Sequence, residues 1–414
     1  MSTVSVIGLG YIGLPTALML ASHGVQVIGT DYDSARIRML QEKGISFTET
    51  GLSELFSNAL ETKKIHFTEE YCPSDIYIVS VPTPYNADTK QIDASMVCAA
   101  VEEIITVCNR DAIIIIESTI PPGAIDRFVR PIIQKSGLTI GRDIHLAHAP
   151  ERIVPGRVIF ELEHNARTIG ADEIQVGEKV RDLYASFCQG EIVVTDIRTA
   201  EMSKVVENAF RDVNIAFANE LLKICRSADL DVYETIRIAN KHPRVNILQP
   251  GPGVGGHCIP VDPWFLVGDY PTLTDLIRTA RGVNDSMPDY VLERVSRIMR
   301  DREISTVTSV GIYGLTYKEN VDDIRDSPTL QMLDSMERHL GSGVIVYDPN
   351  IRYDVVPNQV HDFEEFIQRS ELIVLMVAHD EIKMNISKLS GKVVLDTRNA
   401  IQQSAISGIE VFKL

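Results

Sequence analysis

The sequence predicts an α/β fold, with two Rossmann-like, doubly wound domains joined by a long central helix that belongs to a helical middle domain. A glycine-rich turn between a strand and a helix begins the pattern, and strands then alternate with helices over the first half of the chain. A second alternating segment follows residue 300, after a mainly helical stretch. We therefore expect three domains, covering residues 1–197, 198–300 and 301–414.

Composition restricts the function classes. The chain has 414 residues, of which 44% are hydrophobic and 23% charged, as is typical of a soluble globular protein with more than one domain. Its net charge of −17 argues against a nucleic-acid or anionic-membrane partner. No basic segment precedes an apolar run near Met1, so we expect a cytoplasmic protein. The six cysteines form no CxxC pair and no zinc spacing, which predicts neither a disulfide framework nor a metal site.

The first predicted strand and helix enclose the motif GLGYIG, from Gly8 to Gly13. In this βαβ context Gly8 makes a tight turn, Gly10 lets the backbone approach a pyrophosphate, and Gly13 lets helix and strand pack closely. The amides at the start of the helix then face the phosphates. Asp31 ends the second strand, where its carboxylate can accept from ribose hydroxyls, which favours NAD over NADP. The motif predicts a bound dinucleotide.

The alternation continues with strands predicted at 76–82, 112–118 and 143–148 and helices at 34–43 and 94–107. In doubly wound sheets, ligands bind at the carboxyl ends of the strands. Turn-rich sequences follow three of these strands, at Val81–Pro84, Ser118–Gly123 and Ala149–Gly156. Each alone could be ordinary loop sequence. Their shared position at strand ends favours a common pocket on the cofactor side.

A long helix is predicted from about Thr199 to Asp229. Lys204, Asn208 and Arg211 are spaced to line one face of it, and an amide between two cations suits a polar ligand. A solvated cationic face is the ordinary alternative. We expect protein to cover the helix on most sides, because its other faces carry Val205, Val206, Ala209, Phe210, Ile215 and Phe217.

The stretch Gly251–Phe265, GPGVGGHCIPVDPWF, is rich in glycine and proline and is predicted to be a loop. Cys258 within it suits a nucleophile above a bound ligand. A structural turn with a buried cysteine explains the same sequence equally well.

The last segment predicts strands at 310–317, 344–349, 371–380 and 393–399. Lys318 and Arg398 follow two of these strands, and cations in such positions suit the phosphates of a ligand. Either residue alone could equally be an ordinary surface cation.

Together these motifs resemble those of the UDP-glucose/GDP-mannose dehydrogenase family over nearly the whole chain. The similar segments occur in the family's order and are GLGYIGLP, VPTP, ESTIPPG, PERIVPG, ENAFRDVNIAFANEL, GGHC and GLTYK with DDIRDSP. Within the family, residues 240–265 are most similar to the branch acting on UDP-linked N-acetylmannosamine. The branch acting on UDP-linked N-acetylglucosamine follows closely.

The resemblance implies oxidation of a sugar's C6 alcohol to a carboxylate in two steps with two NAD⁺. It makes Cys258 the nucleophile that captures the C6 aldehyde as a thiohemiacetal, which the second oxidation turns into a thioester. Five further residues match the family's catalytic set. In order, they serve the hydrolytic water (Glu151 and Thr119), the C6 oxyanion (Lys204 and Asn208) and proton transfer (Asp262).

The resemblance also implies binding residues and a homodimer or higher oligomer in contact through the central helix. For NAD, beyond the glycines, it implicates Tyr11, Ile12, Asp31, Arg36, Thr83, Thr119 and Arg325. For the UDP-sugar it implicates Arg152, Ile153, Lys204, Asn208, Arg211, His242, Arg244, Gly255, Tyr317, Lys318 and Arg398. In relatives, residues near His242 and Arg244 reach the neighbouring subunit's site. The implied product is a precursor of cell-surface polysaccharide.

The cysteine loop departs from part of the family. His257 and Val261 stand where the UDP-glucose and GDP-mannose branches carry serine and lysine. The departure favours a 2-acetamido sugar as substrate.

Two other functional classes stay open. A two-electron dehydrogenase of the 6-phosphogluconate or 3-hydroxyacid type shares a Rossmann domain followed by helices, but it needs neither the Cys258 loop nor a second α/β segment. An NAD-sensing binding protein without chemistry would require damage at Cys258, Lys204 or Asp262, and all three residues are present.

Overall fold

The long predicted helix is present as one 31-residue element, Ile197–Ser227. In this computed structural model, which describes residues 2–47, 49–401 and 408–414, the chain divides into two units within that helix. The units are Met1–Glu207 and Asn208–Leu414. The three-domain boundaries expected from the sequence stay a prediction.

The first unit contains an eight-stranded sheet. Its strands are β1 (Thr3–Ile7), β2 (Gln26–Thr30), β3 (Ile65–Thr68), β4 (Ile76–Val79), β5 (Ala112–Ile116), β6 (Ile144–His148), β7 (Arg167–Ala171) and β8 (Ile192–Thr195). Its helices are α1 (Gly13–Ser22), α2 (Ser34–Gln41), α3 (Leu52–Glu61), α4 (Ser95–Val107), α5 (Arg130–Lys135, after a π-helical turn at Ile125–Val129), α6 (Val158–His164) and α7 (Ile174–Tyr184). The strand order is β3-β2-β1-β4-β5-β6-β7-β8, and only β6 and β7 pair antiparallel.

Alternate side chains of the central strands enter two separate cores, as a doubly wound sheet requires. In β5, Ile113 and Ile115 join one hydrophobic cluster, whereas Ile114 and Ile116 join another. Helices cover both faces, so the strand is apolar throughout. The strand order reverses between β1 and β4, and the carboxyl ends of β1, β4, β5 and β6 lie along one edge.

The second unit contains a five-stranded, fully parallel sheet that is also doubly wound. Its strands are β9 (Val310–Tyr313), β10 (Ile345–Tyr347), β11 (Leu372–Leu375), β12 (Val393–Asp396) and β13 (Glu410–Lys413), in the order β10-β9-β11-β12-β13. The long helix is α8, followed by α9 (Val232–Ala239), α10 (Asp262–Asp269), α11 (Asp275–Asp285), α12 (Met287–Asp301), α13 (Pro328–His339), α14 (Phe363–Arg369) and α15 (Asp380–Met384), with short 3₁₀ turns at Val307–Ser309 and Ile386–Leu389. Alternate residues of β11 again enter different cores. The predicted fold class is confirmed.

One face of α8 is an exception to the expectation that protein covers this helix on most sides. Val206, Phe210 and Phe217 are 46%, 65% and 54% exposed, and Ile224 extends the same face at 62%. Their spacing places them in one apolar stripe. The stripe remains exposed because no described element of this single chain packs over it. We call these four residues the apolar stripe of α8.

None of the described helices is both long and apolar enough to cross a membrane. Over the same residues, no three His, Cys, Asp or Glu side chains are grouped in a way that could hold a metal ion.

Candidate active site

Each of the three motif glycines after β1 is explained by a different physical requirement. Gly8 has a φ of +89°, and a Cβ there would lie 2.7 Å from the carbonyl oxygen of Ser80. A Cβ at Gly13 would lie 1.9 Å from the Gly8 carbonyl oxygen, so strand and helix can approach only without a side chain. A Cβ at Gly10 would meet nothing within 4 Å. Intramolecular packing therefore explains Gly8 and Gly13 but not Gly10, whose open side fits a dinucleotide phosphate.

Asp31 is fixed beside this turn. It is 3% exposed, and its Oδ2 accepts from the Leu9 backbone amide over 2.8 Å. Arg36 pairs with the same oxygen over 2.8 Å. A buried acid at the end of β2, held against the glycine turn, has the position that ribose hydroxyls require. The residues present therefore fit NAD. Tyr11, next in the turn, stacks on Phe47 with ring centroids 4.2 Å apart.

The loops after β4 and β5 are joined to each other. The Thr83 hydroxyl donates to the carbonyl oxygen of Thr119 over 2.7 Å, and the Ser118 hydroxyl donates to that of Val81 over 2.7 Å. Glu201, buried on α8, accepts from the Gly123 amide over 2.5 Å. The structure thus brings the predicted residues Thr83 and Thr119 together on a loop fixed at both ends.

Glu151 lies in a buried charge network that the sequence analysis missed. Glu151 is 4% exposed, ion-pairs with Arg167 and accepts from the Arg152 amide over 2.6 Å. Arg167 also lies 3.8 Å from Glu117, and its guanidinium packs over the Tyr184 ring at 4.4 Å. One arginine therefore sits between two buried carboxylates, and we call Glu117, Arg167 and Glu151 the acid–arginine–acid triad.

Burial raises the pKa of Glu117 to about 7, although Arg167 opposes this shift. The Glu117 carboxyl also accepts from the hydroxyls of Ser80 and Tyr184, the latter over 2.9 Å. Glu117 was detectable in the sequence as a lone acid at the end of an isoleucine strand. Arg167 was not, because its partners are distant along the chain.

Arg152 is occupied by neighbours within the first unit. Its guanidinium pairs with Glu207 over 2.8 Å and donates to the Thr168 hydroxyl over 2.8 Å. Ile153 packs at the edge of the first core. The role of Arg152 in substrate binding stays a prediction.

The predicted polar face of α8 is buried over most of its length. Lys204 and Asn208 are 6% and 5% exposed, whereas Arg211 is exposed. Among the residues that the structure describes, Lys204 has no ion pair or hydrogen bond. A buried cation without a carboxylate is unusual unless a ligand supplies the charge.

The cysteine loop is shorter than predicted, because Asp262–Asp269 forms α10. Pro263 is tolerated in its first turn, where a backbone N–H has no helical partner. The Cys258 carbonyl accepts from the amides of Val261 and Asp262 over 3.1 and 2.9 Å. The Cys258 side chain is exposed, so the alternative of a buried structural cysteine is wrong.

Asp262 connects the cysteine loop to the long helix. It is 2% exposed, and its Oδ2 accepts from Nδ2 of Asn208 over 2.5 Å. Two predicted catalytic residues, 54 positions apart, are thus in direct contact.

Arg325 contacts the cysteine loop through its backbone. Its carbonyl accepts from the Gly256 amide over 2.9 Å, and its guanidinium pairs with Asp323 over 2.6 Å. The hydrogen bond with Asp323 is the main cause that raises the pKa of Arg325, and the Cys258 thiol contributes to the same shift. Burial lowers the pKa of His257, with Arg325 adding to the effect. Cys258 therefore lies within electrostatic reach of a cation, Arg325.

Close packing around Gly255 leaves no room for a side chain. A Cβ there would meet the Asp326 carbonyl at 2.6 Å and Tyr317 at 2.7 Å. Tyr317 therefore packs against the cysteine loop, and Lys318 follows it. A Cβ at Gly251 would lie 3.0 Å from Nη1 of Arg398, whose Nε donates to the Met376 carbonyl over 2.9 Å.

The remaining predicted residues lie apart from these contacts. His242 and Arg244 are exposed on the connection between α9 and the cysteine loop, where the Arg244 amide donates to Nδ1 of His242 over 3.3 Å. In the part of the chain that the structure describes, this is the hydrogen bond that links either residue to another predicted site residue.

Comparison with protein families matches three consecutive segments to one family. Residues 2–188 match the NAD binding domain, 198–286 the central domain and 311–403 the UDP binding domain of the UDP-glucose/GDP-mannose dehydrogenase family.

Individual relatives match over the full length. The NDP-N-acetyl-D-galactosaminuronic acid dehydrogenase of Ralstonia nicotianae is 42% identical over 409 residues, 96% of this chain and 95% of the relative. The UDP-N-acetyl-D-mannosamine dehydrogenase of Methanococcus maripaludis is 40% identical over 412 residues, 97% and 93% of the two chains. The solved structure of the UDP-N-acetyl-mannosamine dehydrogenase Cap5O from Staphylococcus aureus superposes with a TM-score of 0.89 at 42% identity, covering 100% of this chain and 98% of that one.

Proposed function

The chain belongs to the UDP-glucose/GDP-mannose dehydrogenase family of NAD-dependent nucleotide-sugar dehydrogenases, and on this premise we propose that it oxidises C6 of UDP-N-acetyl-D-mannosamine to the uronate. The relatives named for that substrate support the sugar. The observation that carries the chemistry is the exposed Cys258 placed four residues before Asp262, which is buried against Asn208. We place the reaction in the cytoplasm, where it supplies precursors of cell-surface polysaccharide.

The proposed reaction removes four electrons in two steps. The glycine turn and Asp31 would hold NAD⁺, which would supply the hydride acceptor in each step, so two NADH would form per sugar. After the first step the Cys258 thiolate adds to the C6 aldehyde and gives a thiohemiacetal, and the second hydride loss leaves a thioester. Water then attacks the thioester, releasing the carboxylate and returning the thiol.

The buried charges on α8 support these roles. The C6 oxygen carries negative charge in the tetrahedral species, and Lys204 offers a buried cation with no protein carboxylate beside it among the described residues. Asn208 is oriented by its hydrogen bond to Asp262. We assign Asp262 to proton transfer at the sulfur and C6 oxygen, and Glu151 with Thr119 to the hydrolytic water.

A second substrate has its own support. The Ralstonia relative is named for an N-acetylgalactosaminuronic acid, so a UDP-linked sugar of the galacto configuration is the alternative. Both sugars carry a 2-acetamido group, which is the kind of substrate that His257 and Val261 favour, since the UDP-glucose and GDP-mannose branches carry serine and lysine there.

We further propose a homodimer formed through α8. The apolar stripe of α8 exposes four large hydrophobic side chains on one face. An exposed apolar stripe of this kind is typical of a protein–protein interface.

The test is NADH release from a panel of sugars, counted per sugar consumed. The panel contains UDP-N-acetylmannosamine, UDP-N-acetylglucosamine, UDP-N-acetylgalactosamine, UDP-glucose and GDP-mannose. We expect two NADH from the mannosamine sugar and at least a tenfold lower kcat/KM for each other sugar. Two NADH from another sugar instead would contradict the substrate but keep the mechanism. One NADH per sugar would contradict the mechanism and favour a two-electron dehydrogenase.

A further inference from the structure

The second unit contains a cavity of about 630 Å³, and none of the residues assigned above is among those that line it. Its walls come from the end of α8, the start of α9, the middle of α12 and the end of β13. This volume falls in the range of small-molecule sites. Cationic and tyrosine side chains on these walls include Lys223, Arg226, Tyr233, Tyr290, Arg294 and Arg297.

Arg294 is the unusual residue of this cavity. It is only 4% exposed, and its Nε has no hydrogen-bond partner. No carboxylate pairs with its guanidinium anywhere in residues 2–47, 49–401 or 408–414. Buried arginines are almost always paired, since an unpaired buried charge is strongly unfavourable. An anion bound in the cavity would therefore neutralise the charge of Arg294.

The cations around Arg294 strengthen this reasoning. Burial and then Arg226 lower the pKa of Arg294 to about 10, and burial lowers the pKa of Arg226 while Arg297 repels it. Arg294 and Arg297 stand three residues apart on α12, where like charges repel. Three arginines that repel one another thus lie close together, although the chain as a whole has a net charge of −17.

Among the described residues, the side-chain carboxylates on the same walls form no ion pair with these arginines, although Asp229 partly offsets the lowered pKa of Arg226. Asp231 caps α9 by accepting from the amides of Tyr233 and Glu234 over 2.8 and 3.2 Å. Asp229 and Glu293 are exposed. The Arg226 guanidinium instead donates to the carbonyl oxygen of Lys413 over 3.3 Å.

Tyr233, which also lines the cavity, carries a second polar group without a partner. Its hydroxyl is buried without a hydrogen-bond partner. A buried hydroxyl of this kind is also uncommon in native proteins. Tyr290 adds a ring on the same wall, over which Lys223 lies 5.3 Å from the centroid.

We propose that this cavity binds a small anion carrying a diphosphate group, at a site distinct from the residues assigned to NAD and the UDP-sugar. A guanidinium group can bind two phosphate oxygens at once, so three guanidinium groups on one cavity match a group with many acceptor oxygens. The cavity exceeds the size of inorganic phosphate, so the ligand is either free pyrophosphate or the diphosphate of a nucleotide.

Calorimetric titration of the full chain with pyrophosphate tests the proposal, with NAD and UDP present at saturation so that their own sites are filled. We expect one binding event whose affinity falls as salt is raised. Arg294→Met should weaken it at least tenfold, because methionine keeps the side-chain stem but removes the charge. Arg300→Met removes the same charge from an exposed position of α12 and should leave the affinity unchanged. Absence of binding to the wild type, or equal binding to Arg294→Met, would overturn the proposal.

Thermal unfolding distinguishes loss of the anion site from misfolding of the Arg294→Met variant. Without added anion, Arg294→Met should melt at or above the wild-type temperature, because an unpaired buried charge has been removed. With pyrophosphate, only the wild type and Arg300→Met should gain stability. The exposed Arg226→Gln should also lose several-fold in affinity. A pyrophosphate-dependent gain that persists in Arg294→Met would contradict the site.

Comparison of ADP with pyrophosphate under the same conditions separates the two sources. Tighter binding of ADP assigns a nucleotide, and equal or weaker binding assigns the free anion. Either result supports the site only if Arg294→Met weakens it, and an ADP affinity unaffected by that substitution would argue against it.

Discussion

Asn208 and Asp262 join the long helix to the segment that carries Cys258: Nδ2 of Asn208 donates to Oδ2 of Asp262 over 2.5 Å, and both side chains are buried. Because the acceptor is a carboxylate, this hydrogen bond is of the strong, charge-assisted kind. It fixes which side of the Asn208 amide faces the C6 oxygen in the proposed reaction.

A double-mutant cycle measures this contact. Asn208→Ala should lower the free energy of unfolding by about 2 kcal/mol, because the buried Asp262 carboxylate loses a donor. The double variant with Asp262→Ala should lose less than the sum of the single losses, by about 1 kcal/mol or more. Urea unfolding is the measurement, with the exposed Glu220→Ala on the same helix as control. Strict additivity would contradict the contact.

The nucleophile can be tested by stoichiometry. Cys258→Ser should abolish release of the uronate, because a serine hydroxyl is a poorer nucleophile than a thiolate and forms no thioester. The measurement is NADH per sugar, which should fall from two to one or to none. Cys72→Ser, at a cysteine outside the site, is the control and should still give two. Two NADH per sugar from Cys258→Ser would rule out the covalent route.

The two glycines around Tyr11 should respond in opposite ways to alanine. Gly13→Ala should lower the free energy of unfolding by about 3 kcal/mol or more, because its Cβ would lie 1.9 Å from the Gly8 carbonyl. Gly10→Ala should keep stability within about 1 kcal/mol, since its Cβ meets no protein atom within 4 Å. NAD affinity should nevertheless fall at least tenfold in Gly10→Ala. Thermal melts and calorimetric NAD titration provide the readouts, and unchanged NAD binding would refute the assigned contact.

The acid–arginine–acid triad predicts a pH dependence of stability. Folding raises the pKa of Glu117 from 4.5 to about 7, so between these values the folded protein holds a proton that the unfolded chain has released. Stability from this group is therefore present at low pH and lost as pH rises toward 7, by up to about 1.4 kcal/mol per pH unit. Glu117→Gln should flatten the decline between pH 5 and 7 in unfolding experiments. The exposed Glu42→Gln should keep the wild-type slope, and an identical slope in both variants would count against the buried acid.

The apolar stripe of α8 predicts the assembly. Phe210→Asp should shift the sedimentation coefficient from a dimer to a monomer, because it buries a charge in an apolar contact. Ile174→Asp makes the same kind of change at a residue 70% exposed on α7 and should leave the dimer intact. A wild-type protein that sediments as a monomer at micromolar concentration would disprove the proposed interface.

Local sequence determined the elements and their chemistry. Short apolar strands, helical apolar spacing and the glycine turn predicted β1, α1 and β2, because such patterns depend on residues close together in the chain. The motif order predicted the family, which the comparisons confirm. The assigned roles of the site residues stay predictions.

Tertiary structure alone decided the contacts. The loop prediction failed from Asp262 onward, because proline is compatible with a first helical turn and α10 begins there. The exposure of Cys258 and the bond between Asn208 and Asp262 depend on packing between distant segments. The roles of Arg167 and Arg294 could not be predicted for the same reason. The burial and the partners of a side chain depend on the residues that fold around it, and residue type and spacing do not reveal those residues.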